Sequence, residues 1–88
     1  MFEWDARKAE ANVEKHKIDF LDAIEIFVSP HLTVRSRYEA EPRFVSIGPM
    51  EGRLVTVIWT QRNDVRRIIS ARRARPAERR AYRESVRS

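Results

Sequence analysis

Fifteen of the 88 residues are arginine and only three are lysine, and ten of those arginines fall between residues 62 and 88. A guanidinium presents a planar fork that fits phosphate or carboxylate, whereas an ammonium is a point charge. Residues 62–88 carry a net charge of +7 and residues 1–61 a net of −2, which gives +5 for the chain. That field suits a polyanion such as RNA or DNA and equally an acidic protein partner, and the charge alone does not choose between them. Arg53, Arg62 and Arg72 stand out because they sit at strand ends or on one strand pair, and Lys15-His16 because the pair closes a helix. His16 titrates near neutrality and is suited to acid or base work, although a lone histidine more often caps or packs. Glu41 is the carboxylate best placed to act as a base, with an exposed surface carboxylate as the plainer alternative.

Other chemistries find little footing. His16 and His31 lie fifteen positions apart without a neighbouring ligand pattern, and the carboxylates are scattered, so no metal site is expected. The absence of cysteine removes a disulfide framework, a thiolate zinc site and a cysteine nucleophile. No apolar run approaches the ~18 residues that cross a bilayer, and the acidic Met1-Phe2-Glu3-Trp4-Asp5 start is unlike a signal peptide, so a cytoplasmic protein is expected.

The elements that must hold these residues follow from periodicity. Phe2 to Trp4 reads as a short strand or extended arm, after which Asp5 caps a helix with Ala6, Ala9 and Val13 on one face. His16 to Ile18 is a connection, and Asp19 caps a second helix whose Phe20, Ala23, Ile24 and Phe27 form a packing stripe. Ser29-Pro30 stops it. Leu32 to Tyr38 alternates as a half-solvated strand, Arg43 to Gly48 is a second strand, and Pro49-Met50-Glu51-Gly52 supplies a turn. Leu54 to Trp59 is apolar on both faces, as in a central strand, and Val65 to Ala71 is its partner. Pro76 opens a last helix with Glu78, Tyr82 and Val86 four apart. Short loops between the strands favour an α+β fold over residues 1–88: a four-stranded antiparallel sheet, two helices before it and one after. Among the aromatics, Trp59 is expected in the core, while Trp4 and Tyr82 are open to stacking on bases.

The order Phe2-Glu3-Trp4-Asp5, Lys8, Asn12, Lys15-His16, Phe20, Glu41-x-Arg43-Phe44, Gly52-Arg53-Leu54, Thr60-x-Arg62, Arg67-Ile68-Ile69-Ser70-Ala71-Arg72, Glu78 and Tyr82 resembles the BrnT family of toxins across nearly the whole chain. The resemblance implies a RelE-like ribonuclease fold, RNA cleavage that arrests growth by blocking translation, and neutralisation by a BrnA-like ribbon-helix-helix antitoxin. It further implies a heterotetramer that reaches operator DNA only through the antitoxin. Where many members carry an Asp and a His-Ser pair before the Glu-x-Arg element, this chain has Val34, Arg37 and Tyr38, so no role for that histidine carries over.

Cofactor-free cleavage of RNA needs a base for the 2′-hydroxyl, an acid for the leaving 5′-oxygen and cations for the charge-rich phosphorane. On that chemistry the catalytic candidates are Lys15, Glu41, Arg53, Arg62 and Arg72, and the RNA-binding candidates are His16, Arg43, Arg66 and Arg73. Arg66 and Arg67 are expected on opposite faces of their strand. Two rival readings remain: a basic module that blocks RNA or the ribosome by occupancy, and an inactive co-repressor that acts with the antitoxin on DNA.

Overall fold

The computed structural model describes residues 1–37 and 40–87. The elements run β1 (Phe2–Trp4), α1 (Ala6–His16), α2 (Phe20–Ala23), a 3₁₀ segment (Ile24–Val28), β2 (Leu32–Arg35), β3 (Phe44–Met50), β4 (Arg53–Arg62), β5 (Val65–Arg73) and α3 (Pro76–Arg87). The fold is α+β, as expected, but the sheet is five-stranded and mixed, in the order β1-β5-β4-β3-β2. The expected four-stranded antiparallel sheet is therefore corrected: the leading arm joins the edge, with Phe2 beside Arg66 and Trp4 beside Ile68, parallel to β5. Phe2 and Trp4 gain burial by this pairing, packing against Phe27 and Phe20 respectively.

Asp5 caps α1 by accepting from the Arg7 and Lys8 N–H groups, and Asp19 caps α2 by accepting from Leu21 N–H. The expected second helix tightens after one turn into 3₁₀ geometry. Phe20, Ala23 and Ile26 are all fully buried, and a three-residue spacing stacks side chains on one side of a helix with three residues per turn. Gly48 permits the close approach that results, because a Cβ there would lie 2.9 Å from the Ile26 Cβ. The turn between β3 and β4 is shorter than expected, only Glu51-Gly52, both at positive φ as a tight hairpin requires. Pro49 sits inside β3, beyond the last β2 pair (Leu32 with Ile47), where no ladder partner needs its missing N–H. The expected strand from Leu32 ends at Arg35, and Tyr38 lies outside the described residues.

One irregularity decides where the arginines go. Ile58 pairs with Ser70 but Trp59 pairs with Ile68, so Ile69 is an extra residue in β5. The bulge lets Ile68 and Ala71 both face the core, and it sends Arg66 and Arg72 to opposite faces although they are an even number of residues apart. The core, built from Ile18, Phe20, Ile26, Val55, Val57, Trp59 and Ile68, lies between the sheet and α1, α2 and the 3₁₀ segment. Helix α3 buries no residue and rests on the other face, where Tyr82 donates to the Pro30 carbonyl at 3.2 Å. Trp59 is core, as expected, and its indole N–H donates to Ser46 Oγ at 2.8 Å; Trp4 is half-buried.

Candidate nucleic-acid interface

Two concavities adjoin at the end of the sheet that carries the β3–β4 hairpin, and a third runs from them along α1 and β5. The central one, 390 Å³, is lined by His16, Lys17, Met50, Glu51, Arg53 and Arg73 among others. Arg53 opens β4 immediately after the turn, and Arg73 closes β5 opposite Val55, so both reach the same end on the same face. His16 is the last residue of α1, and Lys17 turns the chain away at φ 59°, its N–H bonded to the Val13 carbonyl at 2.9 Å. A 300 Å³ concavity shares Arg53 and Arg73 with the first and adds Arg79 and Arg83. A third, 200 Å³, shares His16 and adds Lys8, Lys15 and Ser70. The shared residues make one continuous track, and Glu51 is the only carboxylate among the residues lining it.

Burial, and then the charges of Lys15 and Arg72, lower the His16 pKa from its ordinary 6.5. Its imidazole is therefore neutral at neutral pH and able to accept a proton. Ringed by cations, it sits where a phosphodiester would be drawn by the field.

Arg72 is engaged differently. Its guanidinium forms a two-pronged pair with Glu78, at 2.7 and 2.9 Å, and Glu78 also accepts from Arg75 N–H at 2.8 Å and Thr56 Oγ at 3.0 Å. Burial opposes the charged form of Glu78, but these donors and the Arg72 charge outweigh it and hold the carboxyl down to about 2. The pair ties α3 to β5 across the turn at Pro76, so the Arg72 fork is already filled.

The remaining candidates lie elsewhere. Arg62 ends β4, nine residues from Arg53, which separates the two by about 30 Å along the strand. It pairs with Glu41 at 3.5 Å. Arg66 lies over the rings of Phe27 and Trp59, 4.6 and 4.9 Å from their centroids, while Arg67 pairs with Glu3 on the other face, as the alternation of the strand requires. Arg43 precedes β3 near this far end, and its carbonyl accepts from Ser36 N–H at 2.7 Å. Thus Lys15, His16, Arg53 and Arg73 come together, Arg72 adjoins them on the opposite face, and Glu41, Arg43, Arg62 and Arg66 do not join them.

Sequence reasoning did not single out Lys8, Lys17, Arg79 or Arg83 for this track. Lys8 and Lys15 are seven apart on one helix, a spacing that places both on the same side and was a usable signal. The αL position of Lys17 had no such signal, since that conformation usually belongs to glycine or asparagine. Among the described residues no group of three His, Asp or Glu side chains converges in a way that could hold a metal ion.

The family model for "Ribonuclease toxin, BrnT, of type II toxin-antitoxin system" matches residues 4–78. That span includes the last residue of β1, Trp4, then α1, strands β2 to β5, and the first turn of α3 with Glu78. No curated protein matches the chain.

Proposed function

The chain belongs to the BrnT family of ribonuclease toxins of type II toxin-antitoxin systems, and from that premise we propose that it cleaves RNA without a metal ion, in the track that runs through His16, Arg53 and Arg73. The observation that carries this reading is the series of three concavities linked through those residues, with seven other-than-histidine cations and a single carboxylate along them. A wall of cations is the wrong donor set for Mg²⁺, which takes carboxylate and phosphate oxygens. It is the right one for a phosphorane dianion.

In this mechanism neutral His16 accepts the proton of the ribose 2′-hydroxyl. The 2′-oxygen then bonds to phosphorus while the bond from phosphorus to the 5′-oxygen breaks, the 5′-oxygen takes a proton from water in the open track, and the hydroxide left behind takes the proton back from His16, which restores the neutral base. The products are a 2′,3′-cyclic phosphate and a 5′-hydroxyl. Arg53 and Arg73 neutralise the equatorial oxygens as charge develops, and Lys8, Lys15, Arg79 and Arg83 hold neighbouring phosphates. In this reading Arg53 retains the catalytic role expected from the sequence, Lys15 becomes a phosphate contact, His16 and Arg73 move into the catalytic set, and Arg72 positions α3 beside it. Glu41 and Arg62 form an ion pair at the far end.

Type II toxins have a protein antitoxin; here we assign a BrnA-like ribbon-helix-helix protein in a heterotetramer, which carries the complex to operator DNA. Free toxin arrests growth in the cytoplasm by cutting translated RNA. The kinship with RelE-type ribonucleases rests on family membership, the parallel edge strand being an addition to a simple antiparallel sheet.

The test uses purified antitoxin-free protein with total RNA in a chelator, beside His16→Gln, and maps the RNA ends. The expected result is cyclic-phosphate ends from the parent, a rate about 10²–10⁴ lower in the variant, and RNA affinity little changed. Binding without new ends in the presence and absence of divalent metal would instead support an occupancy blocker, and normal growth with tightened operator binding a co-repressor.

A further inference from the structure

On the face that carries α2 and the 3₁₀ segment the chemistry reverses. Val28 is 84% and Leu21 64% exposed, unusual for aliphatic side chains on so small a surface. Between and beside them lie two adjoining cavities, of 450 and 290 Å³, which share Phe2, Ile24 and Val28 as a continuous apolar floor. The rim is acidic: Asp22, Glu25 and Glu51 border one cavity and Asp64 the other. The one arginine there, Arg66, directs its guanidinium over the rings of Phe27 and Trp59, and the Glu25 carboxylate accepts from the Glu51 N–H at 3.1 Å. In a chain of net charge +5, this is an acidic, apolar surface that borders the basic track at Glu51.

We propose that this surface docks a basic amphipathic helix of a protein partner, which seats two bulky apolar side chains in the paired cavities and aligns Lys or Arg with Asp22, Glu25 and Asp64. Two hollows with a common apolar floor suit side chains spaced three or four apart on a helix, and the rim sets the sign of the flanking charge. Single-stranded nucleic acid is repelled by the same carboxylates, so this occupant is a polypeptide. The inference does not depend on ribonuclease activity.

The probe is a synthetic fourteen-residue helix-forming peptide of leucines at i, i+3, i+4 and i+7 with lysine elsewhere, titrated into the full ¹⁵N-labelled chain beside a copy in which every lysine is glutamate. The basic peptide should move the amide signals of Leu21, Val28 and Asp64. Its affinity should fall about tenfold or more in the folded double variants Leu21→Ser/Val28→Ser and Asp22→Lys/Glu25→Lys, with the acidic peptide at least about tenfold weaker. The proposal is overturned if the shifts centre on α3, if the acidic peptide binds as well, or if neither double variant changes the affinity. It is likewise overturned if an oligonucleotide moves the same signals, or if sedimentation shows a self-associated chain that Val28→Ser dissociates, which would make a second copy the occupant. Because RNA cleavage is read separately, failure here leaves the catalytic reading intact.

Discussion

At the scale of single residues, the decisive distinction is between charges that are free to meet a substrate and charges already spent on the fold. Arg72 and Arg73 are neighbours in sequence and differ in this respect, because only Arg72 has Glu78 within reach. Removing Arg72 leaves a half-buried carboxylate without its main partner, a loss of about 2–4 kcal/mol, so Arg72→Ala should lower both stability and activity while Glu78→Gln/Arg72→Ala recovers part of the stability. A denaturant series on the three proteins checks this; a fully stable Arg72→Ala would contradict it. The same pair sets an acid limit. Glu78 titrates at about 2 when folded against an ordinary 4.5, so its stabilisation is complete above 4.5 and is lost as pH falls from there toward 2. For His16 the shift also runs downward from 6.5; in the proposed mechanism protonation would remove the base, so the rate should hold steady from pH 7 to 8 and decline only below 6.5. The sequence disclosed which residues were cationic. It did not disclose the Arg72–Glu78 pair, which forms across a strand end and a proline turn.

At the scale of elements, Asn12 shows how the pieces are joined. Buried on α1, it donates to the carbonyls of Ile18 and Ala71, both at 2.8 Å, and accepts from Ala71 N–H at 3.2 Å. Its amide thus continues the β5 edge beyond β1 and fixes the helix whose last residue is His16. Asn12→Ala would strand the buried groups of Ala71, so a loss of about 2–3 kcal/mol is expected, with weaker amide-exchange protection at Ala71; an unchanged unfolding midpoint would refute this role. Capping by Asp5 and Asp19, the apolar run of β4 and the arginine-rich exit of β5 were legible because each is a local pattern. The parallel β1, the 3₁₀ segment and the Ile69 bulge were not, because each arises from contacts distant in sequence: Phe2 with Phe27, Ile26 with Gly48, and Trp59 with Ile68.

At the scale of the whole molecule, a ten-residue central strand holds two cationic ends about 30 Å apart, and the bulge decides which arginines face together. A single phosphodiester occupies one end only. The candidate set read from the sequence spanned both, since charge density identifies a basic protein without locating its site. The hairpin end combines a histidine, a concavity and the guanidiniums of Arg53 and Arg73, whereas at the far end Arg62 pairs with Glu41 and Arg67 with Glu3. The measurement that tests this account most directly is the single-turnover rate of RNA cleavage by two matched double variants of the antitoxin-free protein, Arg53→Ala/Arg73→Ala and Glu41→Ala/Arg62→Ala, each confirmed folded. The account predicts a loss of about 10²-fold or more for the first and less than about threefold for the second. The opposite ranking would move the ribonuclease site to the far end of the sheet.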